Sequence, residues 1–276
     1  MTGKEKIDII IFGGQSNMQG STGSFPTEPP AENCIEYKFL TDSFEQLKHP
    51  VGETIGDLIL SQAAEGNGSL VPSFCREYSK TKGKVLAIHV ARGATTIEQW
   101  LKGTEIVDGV TKKVVSGDLR YGTLRDKCLA GIKKAKENFK VNKIYFVWLQ
   151  GESNAVSFTT SKDYTDMLLT LKNQLKQDLG IDKFAIIQVG YFCAYAPWLE
   201  GKKPFEIKKQ ADEEIMSAQR NICKVDSDFV FLTDITAKLS VDGKYLNEKE
   251  CGPHYNNEAM IIIGTEAGKA LAKLDI

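Results

Sequence analysis

The sequence lacks an excess of charge of either sign. Its 35 lysine and arginine residues nearly balance its 36 aspartate and glutamate residues, and the formal net charge is -1 at neutral pH. The two signs are interspersed, so the composition provides no basic surface of the kind that binds nucleic acid or anionic lipid. We therefore expect no nucleic-acid partner and no membrane partner.

Long apolar runs are also missing. The first apolar run, at residues 7–12, contains Asp8 and is too short for the hydrophobic region of a secretory signal peptide or for a membrane span. As written, the sequence predicts a cytoplasmic protein, or a secreted one if a signal peptide was removed before Met1.

Cysteine motifs are absent although the chain has six cysteines. No Cys-x-x-Cys spacing occurs, which argues against a structural zinc site and against a dense disulfide framework. The cysteines are Cys34, Cys75, Cys128, Cys193, Cys223 and Cys251. We expect most of them to be buried free thiols in one domain that spans residues 1–276, because 42% of the chain is hydrophobic and a large core can form.

Glycine-rich phosphate motifs are absent too. Neither the dinucleotide pattern Gly-x-Gly-x-x-Gly nor the P-loop pattern Gly-x-x-x-x-Gly-Lys-Ser/Thr is present. The hydrolase pattern Gly-x-Ser-x-Gly fails at its last position, where Met18 stands in place of glycine. The sequence therefore predicts no phosphate-binding loop.

What the sequence does contain is a short apolar run that ends at two glycines and a serine. Residues 7–12 are nearly all apolar and β-branched, which is typical of a strand buried on both faces of a parallel sheet. Gly13 and Gly14 allow a sharp turn, and Ser16 follows at the carboxyl edge, where open α/β sheets bind ligands. Taken alone, however, a serine after two glycines is more often an N-cap or turn residue than a functional one.

Strand-length runs alternate with amphipathic segments along the rest of the chain. Predicted strands cover residues 85–90, 143–149, 183–189 and 229–232, and predicted helices cover 73–81, 119–139, 164–179, 208–222 and 258–274. We predict a long loop at 19–37, small irregular strands at 34–60 and an excursion or short hairpin at 101–118. This alternation predicts an α/β fold with a parallel sheet covered on both faces and right-handed crossovers.

Polar residues follow the carboxyl ends of three predicted strands. Ser16 follows the first and Gly93 the second, while the third ends in Gln-Gly-Glu-Ser-Asn at residues 150–154. The last loop adds His254 just before the final helix. A nucleophile, an imidazole base, a carboxylate and amide donors are the parts of a serine hydrolase.

The base has to be one of three histidines. His89 lies inside the apolar run at 85–90, which favours a satisfied core imidazole over a catalytic one. His49 precedes Pro50 in a polar loop, and we expect it to be exposed. His254 lies in a Gly-Pro turn at a helix start, where spacing alone supports a functional role and a structural role equally.

Four short sequences in order along the chain carry a family resemblance. They are Gly-Gly-Gln-Ser-Asn-Met at 13–18, Ala-Arg-Gly-Ala-Thr at 91–95, Gln-Gly-Glu-Ser at 150–153 and Gly-Pro-His-Tyr-Asn at 252–256. Together they resemble the SGNH (GDSL-like) hydrolases, and more closely the branch with the sialate O-acetylesterases and the acetylxylan esterases of carbohydrate esterase family 6. The resemblance implies a three-layer α/β/α sandwich, flavodoxin-like, with a five-stranded parallel sheet.

The resemblance also implies roles for individual residues. Ser16 would attack an acetyl carbonyl, and His254 would take its proton. The oxyanion would be held by the backbone N–H groups of Ser16 and Gly93 and by the side-chain amide of Gln150. Neither a metal nor an organic cofactor is implied.

One position departs from the wider superfamily, which usually has aspartate three residues before its histidine. Here that residue is Cys251, which offers no fixed negative charge. We assign the orienting role to Glu152, with Glu250 and Asp242 in reserve. The alternative for Glu152 is an acid that stabilises a helix N-terminus.

Substrate contacts are predicted for Asn154 and for the aromatic loop at residues 191–198. Tyr191, Phe192, Tyr195 and Trp198 could stack on a sugar ring, although loop aromatics also pack on their own protein. Arg92 we expect to be structural, paired with a carboxylate beneath the site.

The sequence therefore predicts a carbohydrate O-acetylesterase that works through an acyl-serine intermediate on an acetylated sugar. A carboxylester or thioester hydrolase of the same fold is the alternative among enzymes, disfavoured because no long apolar lid helix is found. A non-catalytic sugar-binding module is the alternative from another class. Oligomeric state and the identity of the acetylated sugar stay open.

Overall fold

A computed structural model describes residues 3–56, 59–63, 66–107, 112–247 and 252–274. The strands are β1 (Lys6–Gly14), β2 (Cys34–Lys38), β3 (Ser43–Gln46), β4 (Val85–Ala91), β5 (Glu105–Val107), β6 (Val114–Ser116), β7 (Lys140–Leu149), β8 (Lys183–Ile187) and β9 (Phe229–Thr233). The α-helices are α1 (Ser16–Gln19), α2 (Val71–Lys82), α3 (Gly117–Asn138), α4 (Glu152–Val156), α5 (Ser161–Leu179), α6 (Phe205–Val225), α7 (Ile235–Leu239) and α8 (Asn257–Ala272).

The main sheet has the order β3-β2-β4-β1-β7-β8-β9 within the described residues. Its neighbouring strands are parallel except β3, which pairs antiparallel with β2. β5 and β6 pair antiparallel in a separate two-stranded sheet, so of the excursion or short hairpin predicted at residues 101–118 the hairpin pairing is the one found. The α/β class and all five predicted strands are confirmed.

The predicted number of five strands is too low, because β2 and β3 extend one edge of the sheet. The loop predicted to reach residue 37 therefore ends where β2 begins. Every residue of β3 is at least partly exposed, and two of the five residues of β2, Ile35 and Lys38, are half-buried. The small irregular strands predicted at residues 34–60 are therefore present, but they lack the continuous apolar run that marks a strand of the main sheet, so the sequence does not assign them to it.

β1 lies at the centre of the sheet and is buried from Ile7 to Gly14. Its one buried charge, Asp8, is 4% exposed, and its carboxylate accepts hydrogen bonds from Tyr78 Oη at 2.8 Å and Asn142 Nδ2 at 2.9 Å. These bonds offset the cost of removing a carboxylate from water. The strand can therefore carry an acid and still form the middle of the core.

Helices cover both faces of the sheet. Phe12 packs edge-to-face on Phe74 of α2, with ring centroids 5.1 Å apart. Ile88 is the register partner of Ile11 and lies against α3 at Gly131. Since adjacent residues of a strand point to opposite faces, α2 and α3 lie on opposite sides of the sheet. α8 packs with α2, and α5 lies between α3 and α6.

The predicted helices are confirmed, with ends set by local capping. The side chain of Thr160 accepts the N–H of Asp163 at the start of α5, and Gly180 ends that helix in the left-handed conformation, with φ of 66°. Asn256 caps α8 by accepting the N–H of Ala259 at 3.0 Å. That cap fixes the chain two residues after His254. None of the described helices combines the length and apolarity that a membrane crossing requires.

The prediction for the cysteines is confirmed where they are described, whereas the prediction for His49 is wrong. Cys34, Cys75, Cys128 and Cys193 are buried free thiols, and Cys223 is a half-buried one, as predicted. His49, however, is not exposed: its side chain is 3% exposed and pairs with Glu28 Oε2 at 3.3 Å. The carboxylate comes from the loop at 20–33, so a polar loop covers this histidine. Cys251 lies outside the described residues.

Close packing of α2 on α8 gives a stability prediction. A Cβ at Gly264 would lie 2.1 Å from Ser73 Oγ and 2.4 Å from the Leu70 carbonyl oxygen. A Cβ at Gly122 in α3 would meet no atom of the described residues within 4 Å. We expect Gly264→Ala to lower the free energy of unfolding by about 1–3 kcal/mol. Gly122→Ala should raise it by roughly 0.5–1 kcal/mol through helix propensity. Denaturant unfolding measures both, and equal effects of the same sign would contradict the packing.

Candidate active site

Ser16 lies at the first position of α1, directly after β1. Gly14 makes the turn with φ of 151°, and a Cβ there would lie 2.1 Å from the carbonyl oxygen of Leu149 and 2.9 Å from Met18 Cβ. Only glycine fits that conformation and that space. The turn therefore presents Ser16 at the carboxyl edge of the sheet, between β4 and β7.

His254 is brought to Ser16 across 238 positions of sequence. Its Nε2 lies 2.8 Å from Ser16 Oγ, which is hydrogen-bond distance. Burial lowers the pKa of His254 to about 4, because the imidazolium loses hydration there. The ring is therefore neutral at pH 7, and Nε2 can accept the proton of the Ser16 hydroxyl when Nδ1 carries the ring proton.

A pocket of about 660 Å³ opens over this pair. Five of the predicted site residues meet in its lining, which includes Ser16, Gly93, Phe192, Trp198 and His254. Gln150, Glu152 and Asn154 do not line it and are 0–1% exposed. The predicted site is thus divided into a pocket surface and a buried layer beneath it.

The N–H of Gly93 is engaged by a residue that sequence reasoning missed. Gln19 Oε1 accepts it at 2.7 Å, and Gln19 Nε2 donates to the carbonyl of Gln62 at 2.8 Å. Gln19 lies three residues after Ser16 on α1 and lines the pocket. A signal was available, since residues three apart on a helix share a face. A substrate oxyanion at Gly93 has to displace Gln19 Oε1.

Gln150 lies in a polar network beneath the pocket, formed by Gln15, Thr95, Gln150, Asn154 and Tyr164. Its Nε2 lies 3.1 Å from Gln15 Oε1, 2.9 Å from the Thr95 carbonyl and 2.8 Å from Asn154 Oδ1. Its Oε1 accepts from Tyr164 Oη at 2.9 Å. The amide of Gln150 has to leave these acceptors before it can hold an oxyanion.

Asn154 ties the same network to the segment after β4. Its Oδ1 accepts the N–H of Ile97 at 2.9 Å, and its Nδ2 donates to Glu98 Oε2 at 3.0 Å. Gln15 connects the network to the pocket, because it lines the pocket and its Oε1 also accepts the N–H of Ser153 at 3.1 Å. The structure thus places Asn154 under the pocket and Gln15 at its surface.

Glu152 reaches the histidine loop through Asn17. Its Oε1 accepts from Asn17 Nδ2 at 2.9 Å, and Asn17 Oδ1 lies 3.4 Å from the N–H of Tyr255, the residue after His254. Its Oε2 is buried and has no hydrogen-bond partner among the described residues, and burial raises the pKa of Glu152. The hydrogen bonds of Glu152 therefore run to Asn17 rather than to His254.

Of the two other acids predicted for the orienting role, Asp242 and Glu250, only Asp242 is among the described residues. Asp242 is exposed, and its Oδ1 accepts the N–H of Lys244 at 3.0 Å in a short 3₁₀ turn. Glu250 and Cys251 lie outside the described residues. The orienting role of an acid at His254 therefore stays a prediction.

The aromatic loop forms one wall of the pocket. The ring of Phe192 meets the His254 ring edge-to-face at 5.4 Å and the Trp198 ring at 6.0 Å. Trp198 is 37% exposed at the pocket, whereas the Tyr191 hydroxyl lies 3.4 Å from Glu213 and Tyr195 packs on Phe205. The structure brings Phe192 and Trp198 to the pocket and leaves the two tyrosines outside its lining.

Arg92 lies beside the pocket and is 7% exposed. Its Nη1 donates to the carbonyl of Gly93 at 3.1 Å, and its own N–H donates to the carbonyl of Gly14 at 3.0 Å. Arg92 thus helps to hold the backbone of Gly93 next to the turn that presents Ser16.

The family model described as "Carbohydrate esterase, sialic acid-specific acetylesterase" matches residues 6–273. A solved protein from Arabidopsis thaliana has a TM-score of 0.64 at 16% identity, covering 96% of this chain and 98% of that one. NanS has a TM-score of 0.57 at 13% identity, covering 99% and 97%.

A carbohydrate acetylesterase from Xanthomonas citri has a TM-score of 0.51 at 16% identity, covering 96% of this chain and 55% of that one. At these identities the likeness to solved structures shows a shared fold. No curated protein matches the sequence at a significant level.

The contact between Gln19 and Gly93 gives a prediction. Gln19→Met keeps the volume and removes the acceptor that competes for the Gly93 N–H. If that N–H binds the oxyanion, affinity for a phosphonate transition-state analogue should rise about fivefold, which corresponds to roughly 1 kcal/mol for one released hydrogen bond. Inhibition constants measure the effect. Unchanged affinity in a folded variant would remove Gly93 from the oxyanion site.

Proposed function

Because the chain belongs to the carbohydrate esterase family of sialic acid-specific acetylesterases, we propose that it removes acetyl groups from O-acetylated sugars through an acyl-enzyme on Ser16. Membership of this family makes the chain an esterase that acts on acetylated carbohydrate. The observation that supports Ser16 and His254 as the reacting pair is the 2.8 Å contact between Oγ and Nε2 at the pocket.

The proposed reaction has two halves. Ser16 Oγ attacks the acetyl carbonyl carbon while its proton passes to His254 Nε2. The tetrahedral intermediate collapses, the C–O bond to the sugar breaks, and His254 returns the proton to the sugar oxygen. A water molecule then attacks the acetyl carbonyl with His254 as base, which releases acetate and restores the hydroxyl of Ser16.

The proposed oxyanion donors are the N–H groups of Ser16 and Gly93 and the amide of Gln150. The first position of a helix has no intrahelical acceptor for its N–H, which leaves the Ser16 donor available to a ligand. A donor aimed at developing charge in such a site contributes about 3 kcal/mol. The Gly93 N–H binds the oxyanion once substrate displaces Gln19 Oε1 from it. The Gln150 amide does so once it leaves its buried acceptors, such as the Thr95 carbonyl.

Glu152 is proposed as the acid that supports His254. Its carboxylate is 1% exposed and holds the side chain of Asn17, which in turn reaches the backbone next to the histidine. A negative charge near the imidazole stabilises the imidazolium that forms when Ser16 gives up its proton. A non-catalytic sugar-binding module would not require the Oγ to Nε2 contact.

Loss of the nucleophile tests the proposed function. Ser16→Ala should lower turnover of an aryl acetate by on the order of 10^4-fold while the fold is kept. Ser217→Ala, on α6 and outside the pocket lining, serves as the matched control and should keep wild-type turnover. Acetate release from acetylated xylo-oligosaccharides, sialic acids and peptidoglycan fragments then identifies the sugar. An active Ser16→Ala enzyme would refute the acyl-serine mechanism.

The choice of acid is tested by removing one carboxylate at a time. Glu152→Gln should lower kcat by at least about 10^2, because the imidazolium loses its supporting charge. Cys251→Ser should stay within a few-fold, because a neutral thiol contributes little charge. Steady-state kinetics on Glu152→Gln, Glu250→Gln and Asp242→Asn compares the acids. A loss confined to Glu250→Gln or Asp242→Asn would move the role to the loop before His254.

A further inference from the structure

Asp212 is a buried acid on α6 that the proposed reaction does not use. It is 0% exposed, and its carboxylate accepts hydrogen bonds from three consecutive backbone N–H groups of the aromatic loop. Oδ1 accepts from Phe192 at 3.2 Å and from Cys193 at 2.9 Å, and Oδ2 accepts from Ala194 at 2.8 Å. One side chain therefore fixes the backbone of this loop from below.

The residues held in this way touch the catalytic histidine. Phe192 supplies the ring that meets His254 edge-to-face at 5.4 Å, and it also contacts Trp198. The Trp198 ring in turn lies over Gly252, where a Cβ would be 3.1 Å from it. Gly252 is two residues before His254, and its carbonyl accepts the N–H of His254 at 2.9 Å. The loop thus contacts both the ring of His254 and its backbone.

We propose that Asp212 is a positioning residue that acts through the aromatic loop to hold His254 in line with Ser16. This inference rests on the proposed function, since it assigns Asp212 a part in the same reaction. A carboxylate suits the role because it has acceptors only, and all three groups that face it are donors. An asparagine at position 212 would turn one of its own N–H donors toward at least one of these three backbone N–H groups.

The charged surroundings of Asp212 make the contact sensitive to pH. Burial, with a smaller contribution from the like charge of Glu152 on α4, raises the pKa of Asp212 to about 7, while the three N–H groups oppose the shift. The positive charge of Lys208, one turn earlier on α6, opposes the rise in the pKa of Cys193 in the loop. The negative charge of Asp212 contributes to the raised pKa values of Tyr191 and Tyr255. The ionised form that accepts all three bonds is therefore lost as pH falls below about 7.

Asp212→Asn tests the inference in the full chain. In either orientation, the amide group of asparagine faces at least one loop N–H, so the loop loses at least one bond and gains a donor-donor contact. With an aryl acetate, kcat should fall about 10-fold to 100-fold, the loss expected when a base is displaced by about 1 Å. KM should change less than about threefold, because this small substrate makes few contacts with the wall. Glu206→Gln, an exposed acid in the first turn of α6, is the matched control and should keep wild-type kcat.

The pH profile separates positioning from general destabilisation. For the wild type, kcat/KM should rise with pH through an inflection near 7 from Asp212, in addition to the lower one near 4 from His254. Asp212→Asn should lose the upper inflection and keep the lower one. An unchanged profile with an unchanged kcat would overturn the inference while leaving the proposed function intact.

Tryptophan fluorescence tests the role of Asp212 without any enzymatic activity, so it applies even if no ester is hydrolysed. Trp100 and Trp148 are 0% exposed, so quenching of tryptophan fluorescence by acrylamide reports mainly on Trp198. Asp212→Asn should increase quenching, and Glu206→Gln should not.

If Asp212→Asn does not fold, Phe192→Leu removes the ring contact with His254 and should give the same split between kcat and KM. Wild-type kcat in a folded Phe192→Leu enzyme would overturn the inference. A wild type that is quenched less than Asp212→Asn but releases no acetate would instead refute the proposed function.

Discussion

The absence of room for a side chain at Gly14 is the constraint on which the site depends. There the carboxyl end of β1 passes so close to the end of β7 that a Cβ would collide with the carbonyl of Leu149. The same turn starts α1 and presents Ser16 between two strand ends. Because His254 comes from the loop before α8, the pairing of Ser16 with His254 requires both the central strand and the last helix to be in place.

A second constraint is the polar layer beneath the pocket. Gln150 and Asn154 are fully buried, and each forms several hydrogen bonds with neighbouring polar groups. Buried networks of this kind are stable only when their members are satisfied, and they then fix the segments that they join. This layer joins the ends of β1, β4 and β7 through Gln15, Thr95 and Gln150. The network therefore fixes the segments beneath the pocket, and Phe192 and Trp198 of the aromatic loop also line it.

The central strands and the position of Ser16 could be predicted because their signals are local, whereas His254 was selected by the family resemblance. An apolar run such as residues 7–12 marks a buried strand, and a parallel sheet brings its carboxyl ends together. These two rules suffice to place Ser16 and Gly93 at one edge of the sheet. The remaining features arise from contacts distant in sequence. No local pattern indicates that Glu28 covers His49 or that Asp212 holds a loop about twenty residues away. Helical spacing places Gln19 on the same face as Ser16, but it does not indicate that Gln19 takes the N–H of Gly93. The edge strands β2 and β3 lack a continuous buried apolar run, because two residues of β2 and all of β3 are at least partly exposed, so the sequence predicts only small irregular strands there.

The contrast between local signals and distant contacts also applies to the buried polar layer beneath the pocket. Sequence blocks identify residue types, and so Gln150 and Glu152 could be selected as candidates. Their burial and their hydrogen bonds to Asn154 and Asn17 depend on packing that the blocks do not encode. Both therefore have structural partners that compete with the roles predicted for them.

Covalent labelling tests the central claim, that Ser16 is the nucleophile and His254 its base. A fluorophosphonate reacts with a serine whose hydroxyl is activated by a neighbouring base, and peptide mass spectrometry locates the adduct. We expect one adduct, on the peptide that contains Ser16, and its loss in His254→Ala. An adduct on another serine, or full labelling of Ser16 in His254→Ala, would contradict it.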